Sequence, residues 1–165
     1  MAFIICNILC VAALVGIDQL IKQWAVAVLA PVGSITLIPH VVELRFVLNS
    51  GMAFSLLSGQ QNLLIVVTLF VLAGVAWFLF TQCRGRRLYQ VTAILVLAGG
   101  IGNLIDRMLN GVVVDYVNFL FVDFAVFNFA DVCLTVGIGL MILCILLDDI
   151  HSGKQTGKTD RGTEA

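Results

Sequence analysis

Apolar positions along this chain come in long unbroken blocks, and the charges gather in the short stretches between them. The first block runs from Ala2 to Ile17 and continues through Leu20 and Ile21 past Asp18. Three more run from Leu63 to Phe80, Leu88 to Ile105 and Phe127 to Leu147. At about 1.5 Å of rise per residue, each is long enough for a hydrocarbon core of roughly 30 Å. The pattern predicts transmembrane helices over about 2–22, 63–80, 88–105 and 127–147. Between the first two the period changes to two, because Val42, Leu44, Phe46 and Leu48 alternate with Val41, Glu43, Arg45 and Val47. Ile35 to Ile38 is a second β-prone run, and Pro39-His40 supplies the turn. A small β-sheet segment over about 34–48 is therefore expected on the membrane surface. After it, Asn49-Ser50-Gly51 has turn chemistry, and Met52-Ala53-Phe54 is apolar enough to rest on lipid or substrate.

Composition agrees with this pattern. Of 165 residues, 61% are hydrophobic and 12% charged, and the mean hydropathy is +1.08, which excludes an ordinary soluble domain. The fold class expected is an all-α integral membrane protein, four transmembrane helices with a small extracytoplasmic β-sheet segment. Residues 1–150 form one membrane unit, and 151–165 a polar cytoplasmic tail without packed structure. No Lys or Arg precedes the first block and no small-x-small cleavage site follows it, so it reads as a retained helix. Arg84, Arg86 and Arg87 point the loop after the second helix to the cytoplasm. Four spans then place both termini there too, with Lys154, Lys158 and Arg161, leaving Lys22, Arg45 and Arg107 outside. The five cysteines, Cys6, Cys10, Cys83, Cys133 and Cys144, follow no disulfide or zinc spacing and read as small buried hydrophobes.

Chemistry concentrates between Gly99 and Asp131, where Asp106, Asp115, Asp123 and Asp131 lie beside or inside apolar runs. Ionisable residues there are functional candidates by default. Asn103 with Asp106 and Asn128 with Asp131 repeat one spacing, so on a helix each pair shares a face. The topology brings these acids, Asp18 and the β-like segment to one leaflet. Two carboxylates sharing a site hold one proton between them, so one takes a proton from water while the other polarises a carbonyl. No metal or cofactor is needed, and His40 and His151 fall on opposite sides of the membrane. Asp18 and Lys22 form an i, i+4 pair, read either as a helix-end ion pair or as part of the site, where Lys22 could also meet a lipid phosphate. A serine-lysine dyad from Ser50, Ser55 or Ser58 with Lys22 is the alternative catalytic chemistry. A four-helix carrier using its acids for proton coupling is the rival class, although such acids belong at mid-span. Asp123, His40 and Tyr116 read as surface or loop residues, the phenylalanines of the last loop as packing, and Arg107 as a neutraliser of Asp106. No basic stripe suggests nucleic acid.

Five motifs in order carry a resemblance. They are Asp18-Gln19-x-x-Lys22, Asn49-x-Gly51-x-Ala53-Phe54-Ser55, Gly99-Gly100-x-Gly102-Asn103-x-x-Asp106-Arg107, Val113-Val114-Asp115 and Phe127-Asn128-x-Ala130-Asp131. With them the chain resembles the lipoprotein signal peptidase (signal peptidase II) family over all but its polar tail. The resemblance implies an aspartic endopeptidase of the bacterial inner membrane that cuts prolipoproteins before a diacylglyceryl-modified cysteine. It implies Asp115 and Asp131 as the catalytic pair, with Asn49, Gly51, Asn103, Asp106, Arg107 and Asn128 lining or shaping the site, and inhibition by globomycin. Membrane lipids are the expected surroundings and a monomer the expected state. There are two departures: Ala125-Val126 stand where many members carry a proline shortly before the Phe-Asn pair, and the loop over residues 116–124 is short and very apolar.

Overall fold

The computed structural model describes residues 1–51 and 59–159, with side chains to residue 150. Ala53, Phe54, Ser55, Ser58 and the side chains of His151, Lys154, Lys158 and Arg161 lie outside the described residues. Four helices are long and apolar enough to cross a membrane: α1 (Ala2–Val32), α2 (Gln61–Gln82), α3 (Arg87–Asn110) and α4, which spans Phe129–Ile150 and continues to Thr159. The first extends well past residue 22. It passes through a π-turn at Ala25–Leu29 before its last turn at Ala30–Val32. Pro31 gives a local reason, since it has no N–H and its ring crowds the carbonyl four residues earlier.

The innermost helix is α3. In its most apolar window 67% of residues are buried, against 11–22% in the other three, so the others wrap around it and face lipid. Glycine sets how closely. A Cβ on Gly99 would collide with the Ala130 carbonyl, one on Gly100 would lie 2.6 Å from Leu72 Cδ2, and one on Gly102 2.6 Å from Asp18 Oδ2. Backbones therefore approach through small residues, as helices do where surrounding lipid removes the hydrophobic drive.

Strands β1 (Ser34–Ile38), β2 (Val42–Asn49) and β3 (Val113–Phe119) form one antiparallel sheet in the order β1-β2-β3. The hairpin of the first two has His40 in the left-handed region at its turn. The third strand corrects the expectation of a loop around Asp115. Its first four residues are all buried, which hides the alternation that marks a half-exposed strand. Val114 and Tyr116 pack on Ala25 and Leu29 of the π-turn, fixing the sheet to the end of α1. At the end of α3, Gly111 adopts a φ of 70° and its N–H closes on the Arg107 carbonyl at 3.1 Å. This αL stop turns the chain directly into β3.

The cysteines are free. Cys83, Cys133 and Cys144 are buried, whereas Cys6 and Cys10 lie on the outer face of α1 rather than in the core.

Candidate active site

The first turn of α4 organises the site. A helix begins with N–H groups that have no partner inside the helix. Here three of them find side chains: Phe129 N–H donates to the Tyr116 hydroxyl at 3.1 Å, Ala130 N–H to Asp18 Oδ1 at 3.0 Å, and Asp131 N–H to Asn128 Oδ1 at 2.9 Å. The Asn128 N–H donates back to Asp131 Oδ2 at 3.1 Å. Asn128 and Asp131 thus close a reciprocal capping box, which is the local reason for their spacing.

From that cap the side chain of Asn128 reaches β3. Its Nδ2 donates to Asp115 Oδ1 at 2.6 Å, with longer contacts to Asn103 Oδ1 at 3.1 Å and the Val114 carbonyl at 3.3 Å. Asn49 Nδ2 donates to Asp115 Oδ2 at 2.9 Å, while its Oδ1 accepts from Gly51 N–H at 2.9 Å, fixing which end of the amide faces the acid. Asn103 Nδ2 donates to Asp131 Oδ1 at 2.7 Å. All four oxygens of Asp115 and Asp131 therefore have a fixed amide donor, and Asn128 touches both acids. Burial pushes the Asp115 carboxyl up to about 6. The Asn49 and Asn128 donors pull the other way, and the negative charge of Asp131 adds to the rise.

Behind this pair lies a second polar cluster inside the bundle. Lys22 Nζ sits 2.9 Å from Asp18 Oδ2, 2.9 Å from Asp106 Oδ2 and 2.9 Å from Asn103 Oδ1. An ammonium has three hydrogens, and all three have acceptors. Gln19 Nε2 bridges Asp106 Oδ1 at 3.0 Å and the Gly102 carbonyl at 3.1 Å, and Asp106 Oδ2 also accepts from Val114 N–H at 3.2 Å. Asn103 joins the clusters, since its Oδ1 faces Lys22 and its Nδ2 faces Asp131.

Asp115 and Asp131 open onto a cavity of about 400 Å³. Asn49, Asn103 and Arg107 complete its polar wall, and Phe119, Phe127 and the outer turns of α4 make an apolar one. Phe119 packs against Phe121, Phe124 and Phe127 at centroid separations of 5.2–6.4 Å, and Phe127 is paired to Val117 by an isolated bridge. Residues 120–126 thus form a loop closed at its base beside the cavity. Among the described residues no group of three or more His, Cys, Asp or Glu could hold a metal ion.

Comparison with known proteins decides the family. The family model for signal peptidase (SPase) II matches residues 10–147. The chain belongs to the signal peptidase II family. Within it, the lipoprotein signal peptidase of Streptococcus pneumoniae (strain ATCC BAA-255 / R6) is 39% identical over 142 residues, covering 86% of this chain and 92% of the relative. That of Streptococcus thermophilus (strain CNRZ 1066) is 40% identical over 135 residues, covering 82% and 88%. A bacterial membrane enzyme structure obtained by the in meso method at 2.3 Å resolution superposes with a TM-score of 0.81 at 33% identity, covering 87% of this chain and 89% of that one. The protein is a multi-pass membrane peptidase by family, and the motif residues from Asp18 to Asp131 fall inside the matched range.

Several sequence expectations change against this signal peptidase II site. Asp18 and Lys22 do form the expected i, i+4 ion pair, but inside the bundle and ahead of the helix end; they are 1% and 3% exposed, so Lys22 cannot reach a lipid phosphate. Its three occupied hydrogens also leave none for a serine hydroxyl. Among the described residues the direct ion pair of Asp106 is with Lys22; Arg107 acts on Asp131, Asp115 and Asp106 through longer-range charge, and its Nη2 donates to the Gly51 carbonyl at 2.9 Å, anchoring the turn that carries Asn49. Tyr116 is buried rather than on the surface, and burial pushes its hydroxyl up to about 12, which keeps it a neutral acceptor for the start of α4. Gln19 was visible only as a motif letter, and its bridging role needed the packing of α1 on α3. Asp123 and His40 are exposed.

Proposed function

We propose that this chain removes the signal peptide from diacylglyceryl-modified prolipoproteins, cutting the amide bond before the lipidated cysteine with a water activated by Asp115 and Asp131. The observation that carries this reading is the pairing of two carboxyls through Asn128 at the edge of one cavity. With one proton shared, the ionised carboxylate takes a proton from water as its oxygen attacks the carbonyl carbon. The protonated partner donates to the carbonyl oxygen, and the tetrahedral intermediate collapses as the C–N bond breaks, the first acid passing the water's proton to the leaving amine while its partner takes a proton back from the gem-diol. Asn49, Asn103 and Asn128 aim the acids. Asp18, Lys22 and Asp106 hold the helices that carry them, and Arg107 with Gly51 holds the turn beside the cavity.

The apolar wall suits the signal helix and the lipid on the cysteine, both arriving from the bilayer. A globomycin-type inhibitor would occupy the same cavity. The arginines at 84, 86 and 87 favour a cytoplasmic position for that loop, with both termini cytoplasmic and the site at the outer surface of the bacterial inner membrane. A monomer holds every residue invoked.

The reading is tested with purified protein in bilayers and a diacylglyceryl-modified prolipoprotein, with and without a chelator. Cleavage immediately before the modified cysteine, unchanged by chelator, is expected. Folded protein that leaves this substrate intact, or loses activity to the chelator, would overturn it.

A further inference from the structure

The active-site cavity has one polar side chain that the proposed chemistry leaves unused. Thr135 lines it on the α4 side, among Val132, Leu134 and Val136. The cavity's other polar residues, Asn49, Asn103, Arg107, Asp115 and Asp131, are the acids and the groups that hold them. Val132, Thr135 and Val136 are exposed as well as lining the cavity, and α4 spans the membrane, so this strip is where the cavity meets the bilayer.

A hydroxyl inside a membrane span ordinarily returns its proton to the helix, bonding a carbonyl three or four residues back. Thr81 does so to the Trp77 carbonyl at 2.7 Å, and Thr92 to the Tyr89 carbonyl at 2.8 Å. The Thr135 hydroxyl has no hydrogen-bond partner among the described residues. Thr68 makes none either, but it lines no part of this cavity. A free hydroxyl is unfavourable in hydrocarbon unless whatever fills the cavity brings an acceptor.

Depth selects that acceptor. Thr135 lies one turn, about 6 Å, further into the span than Asp131. The inference rests on the function proposed above, whose substrate carries its lipid on the cysteine that follows the cut. The cysteine Cα, Cβ and sulfur and two glycerol carbons separate the cut amide from the nearer ester. That is a reach of roughly 6–10 Å at ordinary bond lengths. With the amide held at Asp115 and Asp131, the lipid runs into the bilayer past Thr135. The carbonyls of a signal helix taking the same direction are already bonded within that helix.

We propose that Thr135 is a specificity residue whose hydroxyl donates to an ester carbonyl of the diacylglyceryl group, so that the site prefers ester-linked to ether-linked lipid of equal chain length.

The test uses two prolipoprotein peptides that differ only in the lipid on the cysteine, dipalmitoylglyceryl or dihexadecylglyceryl, the second having no carbonyl. Wild type, Thr135→Val and Thr135→Ser are compared in bilayers, with folding of each checked by melting. Wild type is expected to show about fivefold higher kcat/KM on the diester, the worth of one neutral hydrogen bond. Thr135→Val should lose about fivefold on the diester alone, through KM, because the bond is the same before and during the chemistry. It should then no longer tell the two lipids apart, whereas Thr135→Ser should keep the wild-type preference. Equal use of the two lipids by wild type overturns the inference. So does a Thr135→Val protein that keeps the preference, or one that loses kcat equally on both peptides, which would make Thr135 a support for Asp131. Those results leave the peptidase reading standing; a folded wild type that cuts neither peptide removes that reading and the inference together.

Discussion

Asn128 does two separable jobs, capping α4 and donating to Asp115. Replacing it by Ala removes both; Asn128→Ser keeps a capping oxygen but is too short to reach β3. Loss of an N-cap costs about 1 kcal/mol. Loss of a donor to a charged acceptor costs about 1.5–3 kcal/mol. Asn128→Ala should therefore be about 1 kcal/mol less stable than Asn128→Ser. Both should cleave about 10- to 150-fold more slowly than wild type, since 1.4 kcal/mol is a factor of ten. Thermal unfolding in detergent gives the first difference, and initial rates of signal-peptide release in bilayers give the second. Full activity in Asn128→Ser with a slow Asn128→Ala would refute the reasoning, because the cap and not the bond to Asp115 would then govern the chemistry.

Lys22→Met leaves Asp18 and Asp106 buried without a cation and should destabilise by about 3–5 kcal/mol. Adding Asp18→Asn and Asp106→Asn should recover most of that loss, and unchanged melting of the single variant would contradict the burial argument. Gly102→Ala places a Cβ 2.6 Å from Asp18 Oδ2 and should cost about 1–3 kcal/mol, whereas Gly139→Ala, with nothing within 4 Å, should be neutral or stabilising by melting temperature. The raised pKa of Asp115 also sets a pH dependence. Because the folded value of about 6 lies above the unfolded 3.8, its stabilisation is complete below the unfolded value and is lost as pH rises through the folded one. The difference between wild-type and Asp115→Asn stability across that window isolates this group. It should shrink by roughly 3 kcal/mol as pH rises, and a difference that grows would have the wrong sign.

The helices and the β1–β2 hairpin were legible because each rests on a local period, unbroken apolar runs for the spans and alternation for the hairpin. The third strand was not, since Val113 to Tyr116 are buried on both faces and carry no alternation. The charged cluster shows the same limit. Asp18 and Lys22 announce an i, i+4 pair, but their desolvation depends on Asn103 and Asp106 arriving from α3, a contact made possible by the missing side chain at Gly102. Tyr116 reads as an ordinary aromatic until the first N–H of α4 is found on its hydroxyl. The repeated Asn-x-x-Asp spacing was visible, yet its two copies do different things. Asn128 and Asp131 cap a helix, whereas Asn103 and Asp106 meet through Lys22.

Single-turnover cleavage of a diacylglyceryl-modified prolipoprotein by wild type, Asp115→Asn and Asp131→Asn, with folding of each verified by melting, tests the central claim most directly. The two-carboxylate mechanism predicts that each substitution abolishes cleavage while the protein still folds and inserts. Near-normal cleavage by a folded Asp115→Asn or Asp131→Asn protein would remove that residue from the chemistry and contradict the shared-proton pair.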